Sequence, residues 1–526
     1  MCEDHESGRW NRRGLLRASA VTGAATALTV SGVSAAGGAE PREPARDGSG
    51  RERTRTLTGH LPPGAPDFVY LPVDVDRGVR EIAVSYRYDK PAVPPGTQTN
   101  ACDIGIFDER GTELGGRGFR GWSGGARTEF TISAERATPG YLAGPVRPGT
   151  WQVVLGPYTV APQGMDYTVT VTQWYGAPGT TPEPVYPPQR AKGRGRAWYR
   201  GDCHLHTVHS DGLRTPAETA AAARAAGLDF ITTTEHNTVS GHGAWEGLWG
   251  DDLLVLPGEE VTTRNGHVIA LGIDGGAFID WRYRARDGVF GRFARRIRQA
   301  GGLVVPAHPH GTCVGCNWKF GFDDADAVEV WNGAFTPDDE AAVAGWDNTL
   351  VAAVRSGRSG AGAGRHGWLP AMGNSDAHRE PQPVGHPQTV VLADDLSRAA
   401  VLEGIRAGRS WIAESSAVEL TFGATGGRGK HAGIGGRLDV DRDTPVTVRL
   451  EVSGVPGCSV RLVTDQGQLH AAQLPASGSG TVEWRTTPQY AAYVRAEVRH
   501  APADGGSSGL PGTMAAMTNP VFLGRD

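Results

Sequence analysis

A chain of 526 residues with Gly 76 and Pro 35 is too long for one core and has the composition of a soluble, turn-rich protein of several domains. Its formal net charge of −5 leaves no basic stripe, which argues against a stable complex with nucleic acid.

At the N-terminus, Arg12 and Arg13 precede an uncharged run from Ala18 to Ala39 rich in Ala, Gly, Ser and Thr. The pattern predicts a twin-arginine (Tat) signal peptide over residues 1–36, cleaved near Ala35 or Ala36. The Tat translocase is then the partner during export, and the product is secreted. The run is long enough to span a bilayer but too weakly apolar to remain there, so no membrane anchor is expected. Residues 37–56 are polar, charged and contain Pro and Gly, which predicts a disordered leader. Of the six cysteines, Cys2 belongs to the signal. Cys313 and Cys316 fit a small disulfide loop, the favoured reading in an oxidising exterior, or half of a zinc site. Cys102, Cys203 and Cys458 read as buried single thiols.

Alternating or β-branched runs at 69–75, 81–88, 102–108, 151–155 and 167–172, with no helix between them, predict a β-sandwich of jelly-roll type over residues 57–175. A Pro-rich linker follows over 176–197. From 198 to 412 strands and helices alternate. Thr215-Pro216-Ala217-Glu218 is a capping box with Pro at the first helical position. Further strands fit 230–234, 253–256, 267–272, 303–306, 327–331, 371–373 and 388–392, with helices at 290–300, 338–356 and 396–407. Repeated βα units predict an α/β domain whose parallel sheet closes, or nearly closes, into a barrel. Residues 413–526 return to short strands and predict a smaller C-terminal β-domain, with Asn519 to Leu523 as its last edge strand.

Potential metal ligands recur after the strands of the middle region. The first is Gly201-Asp202-Cys203-His204-Leu205-His206, where strand alternation puts His204 and His206 on one face. Asp211 follows in a turn. Glu235, His236 and Asn237 end the next strand, and Glu259, Glu260 and His267 the third. His308 and His310 follow the strand at 303–306, and Asp376 and His378 the one at 371–373. Eleven of the sixteen histidines lie between residues 204 and 386. Groups at the C-terminal ends of barrel strands converge on one mouth, so these residues predict a metal centre.

The order of His-x-His with Ser210-Asp211-Gly212, Glu235-His236-Asn237, Pro257-Gly258-Glu259-Glu260, Gly266-His267, Ala307-His308-Pro309 and Ser375-Asp376-Ala377-His378 resembles the PHP (polymerase and histidinol phosphatase) superfamily. It is similar to the secreted carbaryl-hydrolase-like (CehA/McbA) branch. The resemblance spans roughly residues 199–412 and implies a distorted (β/α)7 barrel holding two or three divalent metal ions, Zn, Mn or Fe. Carried over position by position, it implies His204, His206, Asp211, His236, Glu260, His267, His308, Asp376 and His378 as ligands, with Glu260 bridging and Glu259 on the opposite strand face. Glu235 stands where many members have Asp, and it either ligates or orients His236. Asp211 stands where some members have His, which bears on a third metal. His308, Asp376 and His378 are also candidates to assist proton transfer.

The resemblance implies hydrolysis by metal-activated hydroxide of a small or phosphorylated extracellular substrate, a phosphomono- or diester first and a carbamate or carboxyl ester second. A secreted binding protein without catalysis is the third reading. Asp202 is expected to orient a ligand histidine and His209 to lie behind the ligands or at the surface. His310 is a possible pocket residue. His242, His366 and His386 read as ordinary loop residues. Lys319, Arg264 and Arg379 could face an anionic substrate, with a solvated surface position as the default.

Overall fold

The structure is a computed structural model that describes residues 51–361, 367–502 and 511–525. The signal peptide, residues 37–50 of the leader, and His366 lie outside the described residues. Strand β1 (Glu52–Leu61) begins inside the stretch expected to be disordered. Its charges hide alternating threonines: Thr54, Thr56 and Thr58 stand opposite Thr172, Thr170 and Thr168, and such cross-strand pairs stabilise a ladder.

With β1 come β2 (Val69–Val75), β3 (Val79–Tyr88), β4 (Ala101–Phe107), β5 (Phe119–Gly124), β6 (Glu129–Ser133), β7 (Gly149–Thr159) and β8 (Met165–Tyr175). They form two four-stranded antiparallel sheets, β1-β8-β3-β6 and β2-β7-β4-β5, in jelly-roll order. Ile82, Val84, Ile104, Ile106, Trp151, Val153 and Val171 fill the space between them. The second sheet is buried on its other face too. There Phe107, Phe119, Trp122 and Val154 join Trp281, Phe293 and Val268 of the middle region in a second cluster.

The middle region contains β9 (Ala197–Asp202), α1 (Pro216–Ala225), β10 (Phe230–Thr233), β11 (Leu254–Pro257), β12 (Glu259–Thr263), β13 (Gly266–Leu271) and α2 (Phe290–Gln299). Then come β14 (Leu303–Ala307), β15 (Val328–Asn332), α3 (Pro337–Arg355), β16 (Ala371–Asn374), β17 (Gln388–Ala393), α4 (Arg398–Arg406) and β18 (Ser410–Ala413). The Thr215 capping box is present at α1.

These elements correct the expected (β/α)7 barrel of parallel strands. Parallel strand pairing in this region is limited to β9-β10-β11 and β15-β16, with single parallel bridges at Leu205–Ala377 and His236–Glu260. Strands β12, β13 and β14 form an antiparallel sheet, and β17 runs antiparallel to β9. For β12 and β13 the turn at Arg264–Asn265 is the physical reason. A connection that short can join only antiparallel neighbours, whereas a parallel pair needs a crossover of a dozen residues. What persists of a barrel is its interior. Tyr199, Phe230, Leu256, Ile269, Val305, Met372 and Val391, from strands of all three sheets, share one core.

The C-terminal strands are β19 (Glu419–Gly426), β20 (Lys430–Gly433), β21 (Arg437–Leu438), β22 (Val446–Ser453), β23 (Ser459–Thr464), β24 (Gly467–Gln473), β25 (Gly480–Thr486), β26 (Tyr493–Arg499), β27 (Met514–Thr518) and β28 (Val521–Leu523). One sheet runs unbroken from β11 through β9, β17 and β18 into β27, β26, β23 and β24. Strand β28, expected at an edge, pairs with both β21 and β26, because Leu523 and Phe522 are buried on each side. Asn519 pins the start of β16: its Oδ1 accepts from the Ala371 amide at 2.8 Å and its Nδ2 donates to the Ser410 carbonyl at 3.0 Å. Among the described residues no helix is long and apolar enough to cross a membrane.

Trp281 is 3% exposed and touches Phe68, Phe119, Trp122 and Phe278, so it ties the jelly roll to the middle region. Trp281→Ala is expected to destabilise the chain by about 3–5 kcal/mol through the cavity it leaves. A urea midpoint equal to the wild type would contradict this packing.

Candidate metal centre

His204 and His206 lie just past the end of β9, where alternation sends Cys203 and Leu205 into apolar clusters on the other side. Glu260 enters from β12 and is fully buried. Its Oε2 lies 2.8 Å from His236 Nδ1 and 3.3 Å from Nε2 of both His204 and His206. Its Oε1 lies 2.8 Å from His267 Nδ1 and 3.2 Å from His308 Nε2. Asp376 Oδ1 is 3.0 Å from His206 Nε2 and 3.3 Å from His204 Nε2. At the outer edge, Asp211 Oδ1 faces His236 Nε2 at 3.5 Å and His378 Nε2 at 3.4 Å.

Donor atoms within 4.8 Å of one another form three groups: His206, Asp211, His236 and His378; His204, Glu260 and His308; and His204, His206 and Asp376. Whether such a constellation fits cations is decided by its polar atoms. Nε2 of His204 and His206, Oε2 of Glu260 and Oδ1 of Asp376 are buried, and each nitrogen lies 3.0–3.3 Å from each oxygen without hydrogen-bond geometry. Buried polar atoms nearly always form proper hydrogen bonds, so four that crowd together without one fit a ligand set for divalent ions.

The electrostatics agree. Burial pushes the Glu260 carboxyl up, but the imidazoles of His236, His204 and His267 outweigh it and hold it well below its ordinary range. Burial likewise disfavours charge on His206, yet Asp376 and Glu260 carry it up to about 10. His204 moves well upward for the same reason, with Asp376, Glu329 and Glu260 outweighing burial. Imidazoles and carboxylates here hold each other charged, and a cation can replace those protons.

Left-handed backbone marks the loops that carry the ligands. Asn237 (φ 52°), His308 (φ 27°) and Asp376 (φ 50°) are strained positions for residues with a Cβ. Local bonds hold them. Asn237 Oδ1 accepts from the Thr262 amide at 2.7 Å, and the His308 amide donates to Glu329 at 3.1 Å.

Two expected ligands behave differently. Glu235 is in none of the three groups, and the His236 ring is instead partnered by Thr262, Glu260 and Asp211. The Glu235 carboxylate accepts from the Thr207 amide and hydroxyl and from the Ser210 hydroxyl at 2.5 Å, because the extra methylene carries it under the loop after His206. His267 also stands outside the groups, with Nδ1 on Glu260. Asp202 accepts from the amides of His204, Ser375 and Gly385, so it positions backbone and not an imidazole ring. Glu259 is buried on the opposite face, where it accepts from the Ile279 amide at 2.8 Å.

The weaker candidates scatter. His209 bonds Ser240 at 2.9 Å, and His386 faces Glu414 at 3.7 Å. His310, Lys319 and Arg379 are exposed. Arg264 donates to the carbonyls of Tyr158 and Pro157 at 2.7 and 2.8 Å. Cys313 and Cys316 are bonded as a disulfide, and Cys102, Cys203 and Cys458 are free and buried.

Sequence reasoning missed Glu329. Fully buried on β15, it lies 3.1 Å from His204 Nδ1 and accepts from Asn374 at 2.9 Å and Asn332 at 3.0 Å. A Glu between Val328 and Val330 on a predicted core strand was the available signal, since an unpaired carboxylate is excluded there.

The ligands open onto a cavity of about 480 Å³ with Asp211, His236 and His267 in its wall. No family model matches the chain. An uncharacterised protein of Methanocaldococcus jannaschii is 25% identical over 146 residues, 25% of this chain and 81% of that protein. A two-domain Bacteroides vulgatus protein, described as containing a PHP-like metal-dependent phosphoesterase, is 17% identical over 66% of this chain and 100% of its own, with a TM-score of 0.34. A Bifidobacterium adolescentis protein described as a metal-dependent phosphoesterase is 19% identical over 42% of this chain and 96% of its own, at 0.26. An amidohydrolase from Chromobacterium violaceum is 20% identical over 35% and 90%, at 0.23. Likenesses this loose carry neither fold nor chemistry across.

Glu329→Gln keeps the shape but loses the carboxylate on His204 Nδ1. It is expected to weaken divalent-metal affinity 10–100-fold, read by chelator competition. Unchanged affinity would remove Glu329 from the site. A second expectation concerns His242, which is fully buried with Nε2 on the Gly258 carbonyl at 2.8 Å and Nδ1 accepting from the Gly276 amide at 3.0 Å. Burial lowers its pKa from 6.5 to about 4. A lowered histidine contributes its stability above 6.5, and that contribution is lost as pH falls from there toward 4. Between pH 7 and 4.5, His242→Gln should therefore lose roughly 2–3 kcal/mol less stability than the wild type. Parallel declines in urea unfolding would refute the assignment.

Proposed function

We propose that the protein is an exported divalent-metal-dependent hydrolase whose leading substrate class is a phosphomono- or phosphodiester. The observation that carries the hydrolase reading is the convergence of four buried donor atoms, on His204, His206, Glu260 and Asp376, without hydrogen-bond geometry between them, beside an open cavity. The PHP-like motif order supports the phosphoester. The paired Arg12-Arg13 before a weakly apolar run supports export through the Tat route.

Divalent ions in such a site supply a water-derived nucleophile at neutral pH and offset the charge that develops on the attacked centre. His204, His206 and Glu260 would hold such ions, and Glu329 and Glu235 keep the surrounding loops in place. His378 would complete the outer donor group with His206, Asp211 and His236: its Nδ1 lies 2.8 Å from the Asp376 carbonyl, which fixes the ring and turns Nε2 toward Asp211. His308 and Asp376 face inward and serve as donors to the ions.

The cavity favours a second reading, carboxyl-ester or carbamate hydrolysis. Among the described residues that line it, Arg264 is the one guanidinium or ammonium, and its terminal nitrogens are committed to backbone carbonyls. A multiply charged phosphate would meet few free cations beyond the ions themselves.

The purified mature protein, assayed on matched aryl phosphomonoester, phosphodiester, carboxyl ester and carbamate with Mn or Zn, is expected to cleave a phosphoester and to lose all turnover with chelator. His206→Ala should reduce turnover at least about 10³-fold while far-UV circular dichroism is unchanged. Cleavage of the carboxyl ester or carbamate alone would select the second reading. Turnover that survives both chelator and His206→Ala would overturn the metal site, and metal-free protein with no hydrolysis of any class would leave a binding protein.

A further inference from the structure

The cavity in front of the ligands has two unlike walls. One is Asp211, His236 and His267, and the other belongs to the jelly roll. On β4 the alternation is clear: Cys102, Ile104 and Ile106 enter the sandwich core, so Asp103, Gly105 and Phe107 face outward. Phe107 is absorbed in the contact with Trp281. Asp103 instead lines the cavity.

The Asp103 carboxylate makes no hydrogen bond or salt bridge with any described residue. Arg264 acts on it only at a distance, because its Nη atoms already donate to the Tyr158 and Pro157 carbonyls. Burial pushes the Asp103 carboxyl up to about 6, so a half-buried acid is held without a partner. Folding alone gives no reason to keep it, since an apolar side chain would pack there without desolvation cost.

Beside Asp103 the sheet surface is cleared for an indole. A Cβ at Gly105 would lie 2.6 Å from the Trp122 ring, and one at Gly156 would lie 2.7 Å from it. Both positions must be glycine for Trp122 to lie flat on the strands. Its ring meets Trp281 at 4.8 Å and Phe68 at 6.2 Å between centroids. The rings touch one another and leave no gap for a guest between them; Trp122 and Trp281 are each 3% exposed, so the half-buried Phe68 gives this wall most of its open surface. An aromatic wall with a carboxylate at its edge suits an apolar, ring-sized group that carries a hydrogen-bond donor. A volume of about 480 Å³ has room for that group together with the bond under attack.

We propose that the N-terminal jelly roll, with Trp281 of the middle region against it, is the substrate-selecting half of the site: the wall of Phe68, Trp122 and Trp281 takes an apolar ring-sized part of the substrate, and Asp103 pairs with a hydroxyl or ammonium donor on it. The assignment of that guest as part of a substrate rests on the hydrolase reading. The pocket itself does not require the metals.

The test uses the full mature chain freed of metal with chelator, and ligand-detected NMR with three probes: 4-propylphenol, 4-propylbenzylammonium and 4-propylanisole, which lacks the donor. At least one donor-bearing probe is expected to bind five-fold or more tightly than the anisole. A stronger phenol marks a neutral hydroxyl guest and a stronger ammonium a cationic one. Asp103→Leu, which removes the acceptor oxygens, should bring the preference within two-fold without changing metal content, and Trp122→Ala should weaken all three probes about ten-fold. Since Trp122→Ala can disturb the sandwich, Asp103→Leu and Asp103→Ala decide the matter. Equal binding of all three probes to the wild type, or a preference that survives both Asp103 variants, overturns the proposal. If the preference holds while no ester is hydrolysed, the pocket stands and the hydrolase reading falls. If metal-dependent hydrolysis occurs with no preference among the probes, the hydrolase reading stands and the pocket falls.

Discussion

A fully buried carboxylate, Glu260, stands among the imidazoles of His204, His206, His236, His267 and His308, and much of the molecule follows from keeping it there. Alone, such a charge would be expelled or protonated. Surrounded by basic rings it stays ionised, and it helps draw His204, His206, His236 and His308 toward their charged forms, while burial keeps His267 below its ordinary range. Protons or cations must then occupy the cluster. Divalent ions do this with fixed geometry, which is why the same residues that are mutually frustrated as a hydrogen-bond network make sense as a ligand set.

Holding that many polar groups together demands rigid support. Three ligand-bearing loops accept left-handed backbone at Asn237, His308 and Asp376, conformations that persist only when neighbouring bonds determine them. Glu329 reaches His204, the His308 amide, Asn332 and Asn374 with one carboxylate, so it couples three strand ends. Glu235 plays the corresponding part below the loop after His206. Both are acids that look like ligands by type, and both work by fixing the positions of others.

The regions on either side of the centre are continuous with it in different ways. The C-terminal strands extend the same sheet past β18, and Arg495, Glu497 and Arg499 form buried ion pairs that reach Asp347 and Glu340 on α3. This side braces. The jelly roll instead packs face-on through aromatic rings and leaves an opening beside the ligands. A brace needs a filled interface, whereas a recognition wall needs one with room left in it.

Much of the local structure was legible in the residues themselves. Strand alternation around His204 and His206, the capping box at Thr215 and the positions of β14, β15 and α2 depend on short-range pattern, and the structure shows each where the pattern puts it. The residues expected to cluster as ligands also meet, apart from Glu235 and the outlying His267. Strand direction was not legible, because periodicity reports which residues face inward and says nothing about which neighbour a strand pairs with. The threonine ladder of β1 was hidden by its charges, and Glu329 by the apolar strand around it. The cavity wall was least visible of all. Asp103 and Trp122 carry no motif, and only packing a separately patterned sheet against the ligand-bearing strands brings them to the same opening. Sequence by itself determined the elements and the kinds of donor atoms, since both follow from local pattern and residue chemistry. Tertiary structure alone decided which carboxylates face the centre, which strands run antiparallel and what encloses the cavity, since each depends on contacts between residues far apart in the chain.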